Sequence, residues 1–172
     1  MKLNIGGTTA HPDWKIFDVE DRPEVDFIGN ARDLGIFEDQ SIESIYASHV
    51  LEHFYYGLDD ELIFTLAEWH RVLKIGGELM ISVPDIQILC WLYSQPKLDV
   101  RNRFNIMRMM FGGQVNEYDV HKVGFDFDTL AMYLNEVGFT GYKRVSEFNL
   151  FNDCSTISYL GYSISLNVIA TK

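Results

Sequence analysis

The stretch Glu68-Trp69-His70-Arg71-Val72-Leu73-Lys74-Ile75-Gly76-Gly77-Glu78-Leu79-Met80-Ile81-Ser82-Val83-Pro84 reads as the end of a helix, a glycine stop and a buried strand. Upstream, Leu62, Leu66, Trp69 and Leu73 recur at helical spacing, which predicts a helix over Asp59–Leu73 with Asp59 as its N-cap. Lys74 and the Gly76-Gly77 pair supply the stop. Glu78–Val83 is almost continuously apolar, the pattern of a strand covered on both faces of a parallel sheet.

Working outward, four short runs bounded by Gly, Pro, Asp or Asn read as strands: Lys2–Ile5, Trp14–Val19, Val25–Ile28 and Ile42–Ala47. After Pro84 come helical stretches at Ile86–Tyr93, Val100–Phe111 and Asp128–Val137, the last capped by Gly138. Two strands close the chain, near Tyr142–Phe148 and Ser163–Ala170, and their short connection implies an antiparallel pairing. Strands alternating with helices imply an α/β sheet. Ile5 and Lys15 are separated by nine residues, too few for a helical crossover, so the first two crossovers are abbreviated into loops.

The 172 residues fit one domain, residues 1–172, and 47% hydrophobic content is enough for its core. No apolar run reaches the ~20 residues of a membrane span, and no signal-peptide core opens the chain. A cytoplasmic protein is expected. Cys90 and Cys154 match no metal or redox spacing and read as reduced, buried or near-surface thiols. The net charge of −11 opposes a phosphate backbone, so nucleic acid is set aside in favour of a small-molecule, glycan or protein substrate.

Chemistry enters at Leu3-Asn4-Ile5-Gly6-Gly7-Thr8-Thr9, where glycines after a strand let the backbone approach a ligand. Asp18 closes the second strand, where an acidic residue can accept hydrogen bonds from two ribose hydroxyls. These segments are followed by Ala31-Arg32-Asp33-Leu34, by Phe37-Glu38-Asp39-Gln40-Ser41-Ile42-Glu43-Ser44-Ile45-Tyr46-Ala47-Ser48-His49-Val50-Leu51-Glu52-His53, and by the Glu68–Pro84 stretch. In this order, over roughly residues 3–85, they resemble the motifs of the class I S-adenosylmethionine-dependent methyltransferases, in particular a small bacterial branch. A looser likeness continues through His121-Lys122-Val123-Gly124-Phe125 and Leu134–Phe139.

The resemblance implies a Rossmann-like three-layer sandwich with a mostly parallel sheet, an antiparallel C-terminal strand and S-adenosylmethionine as cofactor. It implies that Asn4, Gly6, Gly7 and Thr8 hold the methionine portion and that Asp18 holds the ribose. Asn30, Asp33 and Leu34 would border the adenine, and Ser48 and His49 would face the sulfonium and the substrate. Three positions depart from the family pattern: Asn4 stands where an acidic residue is usual, Thr8 where a third glycine is usual, and Ile75 where a proline is common, the last without consequence. No helix precedes the first strand, which leaves one side of the usual substrate lid open and room for a homodimer.

His49-Val50-Leu51-Glu52-His53 also spells the His-x-x-Glu-His pattern of a zinc peptidase class, which needs a helix and a distant third ligand. The surrounding motifs favour the methyltransferase reading, and no metal site is expected. His49 and His121 are the candidate bases for a hydroxyl acceptor. Phe104–Phe111, rich in Met and Phe, is either core packing or a substrate lid. A nicotinamide oxidoreductase is disfavoured, because its Gly-x-Gly-x-x-Gly must open a helix for which there is no room. The expected function is methyl transfer to a small-molecule or glycan acceptor; the alternative is a methyltransferase-like binding or scaffold module that has lost catalysis.

Overall fold

The computed structural model describes residues 1–172. In chain order the elements are β1 (Lys2–Ile5), β2 (Trp14–Asp18), β3 (Phe27–Ile28), β4 (Ile42–Ser48), α1 (Glu61–Val72), β5 (Leu73–Pro84), α2 (Ile86–Tyr93), α3 (Val100–Phe111), α4 (Phe127–Glu136), β6 (Thr140–Val145), β7 (Ser158–Tyr159), β8 (Tyr162–Ser163) and β9 (Ser165–Thr171). Seven strands form one sheet in the order β3-β2-β1-β4-β5-β9-β6, and β7 and β8 form a separate small hairpin. The pairs β1/β2, β2/β3, β1/β4 and β4/β5 are parallel, whereas β9 runs antiparallel to both β5 and β6. From β1 the chain steps to β2 and β3 on one side and then returns to place β4 on the other. The carboxyl ends of β1 and β4 therefore flank a topological switch point, where open α/β sheets bind ligands.

Alternation along the strands sorts side chains onto two faces. Leu3, Ile5, Ile45, Ala47, Leu79, Ile81, Leu166 and Val168 point to one face, where α1 brings Leu62, Leu66, Trp69 and Val72 and α4 brings Leu130 and Leu134. This is the main core. The opposite face carries Trp14, Tyr46 and Met80 and is covered without a long helix, by Phe148 and Phe151 of the segment between β6 and β7. Four hydrogen bonds pin that segment down. Tyr46 Oη donates to Asp153 Oδ2 at 2.8 Å, Ser165 Oγ donates to the Cys154 carbonyl at 2.7 Å, and Asn167 Nδ2 donates to the carbonyls of Ser146 and Ser155, each at 2.9 Å. Burial raises the Tyr46 pKa above its usual value, so the hydroxyl stays protonated and can donate. The first three crossovers, residues 6–13, 19–26 and 29–41, contain no helix, so this irregular segment takes the place of a helical layer.

Boundaries move where tertiary contacts intervene. The third strand shortens to Phe27–Ile28 because the Val25 N–H closes a turn onto the Arg22 carbonyl and the Asp26 carboxylate takes the Ile16 N–H at 2.9 Å. The strand expected from Glu78 extends back to Leu73, which pairs with Ile42. Asp60, not Asp59, precedes α1 and offers no side-chain cap, whereas α4 starts on a capping box between Asp126 and Thr129. The Phe104–Phe111 stripe is not core: only Ile106 is buried, in a satellite cluster with Leu89, Leu92 and Ile164, and Phe104 and Phe111 are each 54% exposed. Cys90 and Cys154 are free and exposed. No helix is long and apolar enough to cross a membrane.

Candidate active site

At the switch point the chain encloses a cavity of about 530 Å³, within the usual range for a small-molecule site of roughly 300–1,000 Å³. Gly6 and Thr8 after β1, Asp18 at the end of β2, Asn30 after β3 and His49 after β4 all line it. A smaller cavity of about 100 Å³ lies against the other side of the glycine loop and is lined by Asn4, Gly6, Gly7, Thr8 and Ser48, with Phe151–Cys154 opposite. The glycine loop thus divides the space above β1, and the residues expected at a methionine portion and those expected at a ribose face neighbouring cavities.

Glycine is required at Gly6 and favoured at Gly7. Gly6 has φ +74°, and a Cβ there would lie 2.6 Å from Val50 Cγ2. A Cβ on Gly7 would run into the Asn4 amide at 2.4 Å. Close approach of the loop to Val50, just after β4, and to Asn4 therefore uses the missing side chains. His49 is also left-handed (φ +55°), a costly conformation for a residue with a Cβ, and it turns the chain sharply out of β4 into the 3-10 turn Leu51–His53.

Asp18 is already engaged. Its Oδ1 accepts the Glu20 N–H at 2.9 Å and its Oδ2 accepts Arg22 Nη2 at 2.8 Å. The same Arg22 nitrogen donates to the Gly7 carbonyl at 2.8 Å, so one guanidinium ties the β2 end to the glycine loop. The Asn30 Oδ1 accepts the Arg32 N–H at 3.1 Å. Each carboxylate oxygen of Asp18 retains a second lone pair for a ligand hydroxyl. Glycine loop, strand-end carboxylate and cavity size together fit a nucleoside-bearing cofactor.

His49 Nε2 lies 3.1 Å from Ser165 Oγ, and its Nδ1 lies 3.3 Å from Glu52 Oε1. Glu52 is 1% exposed, and neither of its oxygens has a hydrogen-bond partner. Burial opposes its charge, but the neighbouring imidazoles, His49 first and then His53 and His121, outweigh that and hold its pKa below the usual value. His121 does not line the cavity; it sits behind the wall, with Nε2 3.8 Å from Glu52 Oε1, and burial lowers its pKa. Asp33 and Leu34 also lie outside the cavity: Asp33 turns back to accept the Gly35 N–H at 2.9 Å, and Leu34 is wholly buried in the main core.

Several lining residues had no sequence signal. The Asn116–Asp119 loop and Lys122 form one wall. Asn116 Oδ1 accepts from Tyr118 and Asp119, and Asp119 accepts from Gly113 and Val115. Glu20, Arg22 and Glu61 complete the rim. Arg22 lies four residues after Asp18, but no helix joins them, so spacing alone does not reveal the pair.

Residues 15–81 match the family model described as a methyltransferase domain. No curated protein matches the chain. Among solved structures, a SAM-dependent methyltransferase of Thermotoga maritima, described as a possible histamine N-methyltransferase, aligns with TM-score 0.59 at 15% identity over 99% of this chain and 81% of its own. A SAM-dependent methyltransferase of Archaeoglobus fulgidus aligns with TM-score 0.59 at 14% identity, covering 99% of this chain and 85% of its own. The 1,6-didemethyltoxoflavin-N1-methyltransferase of Burkholderia thailandensis, solved with S-adenosylhomocysteine, aligns with TM-score 0.58 at 16% identity over 99% and 70%. The strand order and these alignments show a Rossmann-like methyltransferase fold, and residues 15–81 are similar to a methyltransferase domain.

Proposed function

We propose that this domain transfers a methyl group from S-adenosylmethionine to a small-molecule or glycan acceptor seated beside His49. The observation that carries this reading is the convergence of Gly6, Asp18, Asn30 and His49, each from a different strand end, on one cavity. When bound, S-adenosylmethionine supplies an electrophilic methyl group on a sulfonium. Gly6, Gly7, Thr8 and Asn4 would hold its methionine portion, Asp18 its ribose and Asn30 its adenine. The chain's own contribution is orientation, which accounts for much of the acceleration in such transfers. His49, held between Ser165 and Glu52, is the proposed base for an acceptor hydroxyl; because Ser165 Oγ gives its proton to the Cys154 carbonyl, His49 Nε2 donates to Ser165, and that contact must open before the ring takes a proton. His121 lies behind it and serves the site through Glu52. Carboxylates of Asp18, Glu20, Glu61, Glu117 and Asp119 outnumber Arg22 and Lys122 around the cavity. That balance suits a cationic cofactor and a neutral or cationic acceptor, and it disfavours a nucleic acid.

Arg22 favours a second reading, because it occupies Asp18 and Gly7 where a cofactor would need them. On that reading the domain is a binding module. Calorimetric titration with S-adenosylhomocysteine, followed by a methyl-transfer screen on hydroxyl and amine acceptors, separates the two. Micromolar binding with turnover supports the enzyme, binding without turnover supports the module, and no heat at millimolar ligand removes both.

A further inference from the structure

We propose that Glu52, His53 and His121 form a binding site for one divalent transition cation of the zinc type, set behind the wall of the larger cavity. The His-x-x-Glu-His spelling suggests two histidines on one helical face, but the structure has no helix there: His49 leaves a strand with positive φ, and Leu51–His53 is a 3-10 turn. That turn instead points Glu52 inward. One ligand atom each from Glu52, His53 and His121 lies within 4.8 Å of the others. The distant third ligand is thus His121, brought in by the loop after α3.

Hydrogen bonds on the far side of the rings set their tautomers. His53 Nδ1 lies 3.1 Å from the Val120 carbonyl, and His121 Nδ1 lies 3.0 Å from the Met109 carbonyl. A carbonyl only accepts, so each Nδ1 carries the proton and each neutral ring keeps a bare lone pair on Nε2. Backbone carbonyls behind metal-bound imidazoles serve this purpose in known sites. One ligand atom of each histidine then lies within 4.8 Å of a buried carboxylate that no hydrogen bond satisfies, with His49 Nδ1 3.3 Å away on its other side, an arrangement that suits a cation. The His121 Nε2–Glu52 Oε1 separation of 3.8 Å is too long for a hydrogen bond. It is close to the roughly 3.4 Å that separates two ligands on a tetrahedral zinc with bonds of about 2.0–2.2 Å.

Three protein ligands leave one coordination position open, and His53 lines the cavity. In a methyltransferase that position would receive an acceptor oxygen and lower its pKa. Only this consequence rests on the proposed function; the cation site itself does not.

The test uses chelator-stripped protein without cofactor. Zinc chloride is titrated by calorimetry, and bound metal is counted after desalting. One zinc per chain and a higher melting temperature are expected. Glu52→Gln and His121→Asn should each weaken zinc binding by about 100-fold or more, beyond the 10–100-fold typical of outer-shell losses. Circular dichroism reports whether each variant folds, and if the buried Glu52 variant does not, His121→Asn alone decides. No zinc bound by the wild type at about 100 μM, or binding unchanged in a folded variant, overturns the site. S-adenosylhomocysteine binding, measured separately, would be unaffected by that failure.

Discussion

Replacing Asp18 by asparagine should weaken S-adenosylhomocysteine binding by one to two powers of ten and leave the fold intact. The Asp18 side chain is 11% exposed at the end of β2, with one lone pair on each oxygen already used by Glu20 N–H and Arg22 Nη2. The remaining lone pairs are the ones available to a ribose diol. Asparagine keeps one acceptor oxygen, turns the other into a donor and removes the charge. The loss is therefore one charge-assisted hydrogen bond and part of a second, about 1.5–3 kcal/mol. At about 1.4 kcal/mol per tenfold this is roughly a 10- to 150-fold rise in Kd. The fold loses less. Arg22 keeps Glu20 and Glu24, each at 3.1 Å, and the Gly7 carbonyl at 2.8 Å, so the missing ion pair costs at most about 1 kcal/mol. Calorimetry gives the affinity and a parallel thermal melt gives the stability. A Kd within about twofold of wild type, with an unchanged melt, would refute the ribose assignment. Arg22→Gln is the companion variant: if Arg22 competes for the carboxylate, its removal tightens binding.

Two further predictions concern the scaffold. Trp69 is wholly buried and donates from Nε1 to the Ala31 carbonyl at 2.8 Å, which fastens α1 to the loop bordering the cavity. Trp69→Phe should cost about 2–4 kcal/mol in urea unfolding, through a smaller ring and an unpaired carbonyl, and a loss under about 0.5 kcal/mol would contradict that role. The Glu68 pKa is lowered, chiefly by its hydrogen bonds with Arg71, which also binds Asp39. A depressed folded pKa means that this contribution is complete above the unfolded glutamate value of about 4.3 and disappears as pH falls through the lower folded value. The urea midpoint of Glu68→Gln should accordingly decline less than that of wild type between about pH 5 and pH 3, and parallel declines would exclude the contribution.

The elements that could be read from sequence were those whose hydrophobic period is local. The α1 stripe of Leu62, Leu66 and Trp69 and the continuous run from Leu79 to Val83 each encode one face or two faces to be buried. Residues at strand ends, Gly6, Asp18, Asn30 and His49, could be placed because the order of an open α/β sheet puts carboxyl ends together. The resemblance placed Asp33 and Leu34 beside the adenine, but a turn onto Gly35 and burial of Leu34 keep both out of the cavity lining. The fate of Phe104–Phe111 was open for a related reason. An amphipathic stripe does not say whether anything covers it, and here Ile106 is buried while Phe104, Met107 and Phe111 are exposed.

The sequence by itself determined the alternation of strands and helices, the abbreviated crossovers and the strand-end residues, because these follow from local period, turn residues and chain length. Only the tertiary structure decided what covers the face of Trp14, Tyr46 and Met80, since that cover is an irregular segment held by long-range hydrogen bonds to Tyr46, Ser165 and Asn167. Only the tertiary structure, too, joined Arg22 to Asp18 and Gly7, and carried His121 to Glu52 and His53. Those contacts depend on how loops without a hydrophobic period close over the ends of the sheet, and no local rule specifies that closure.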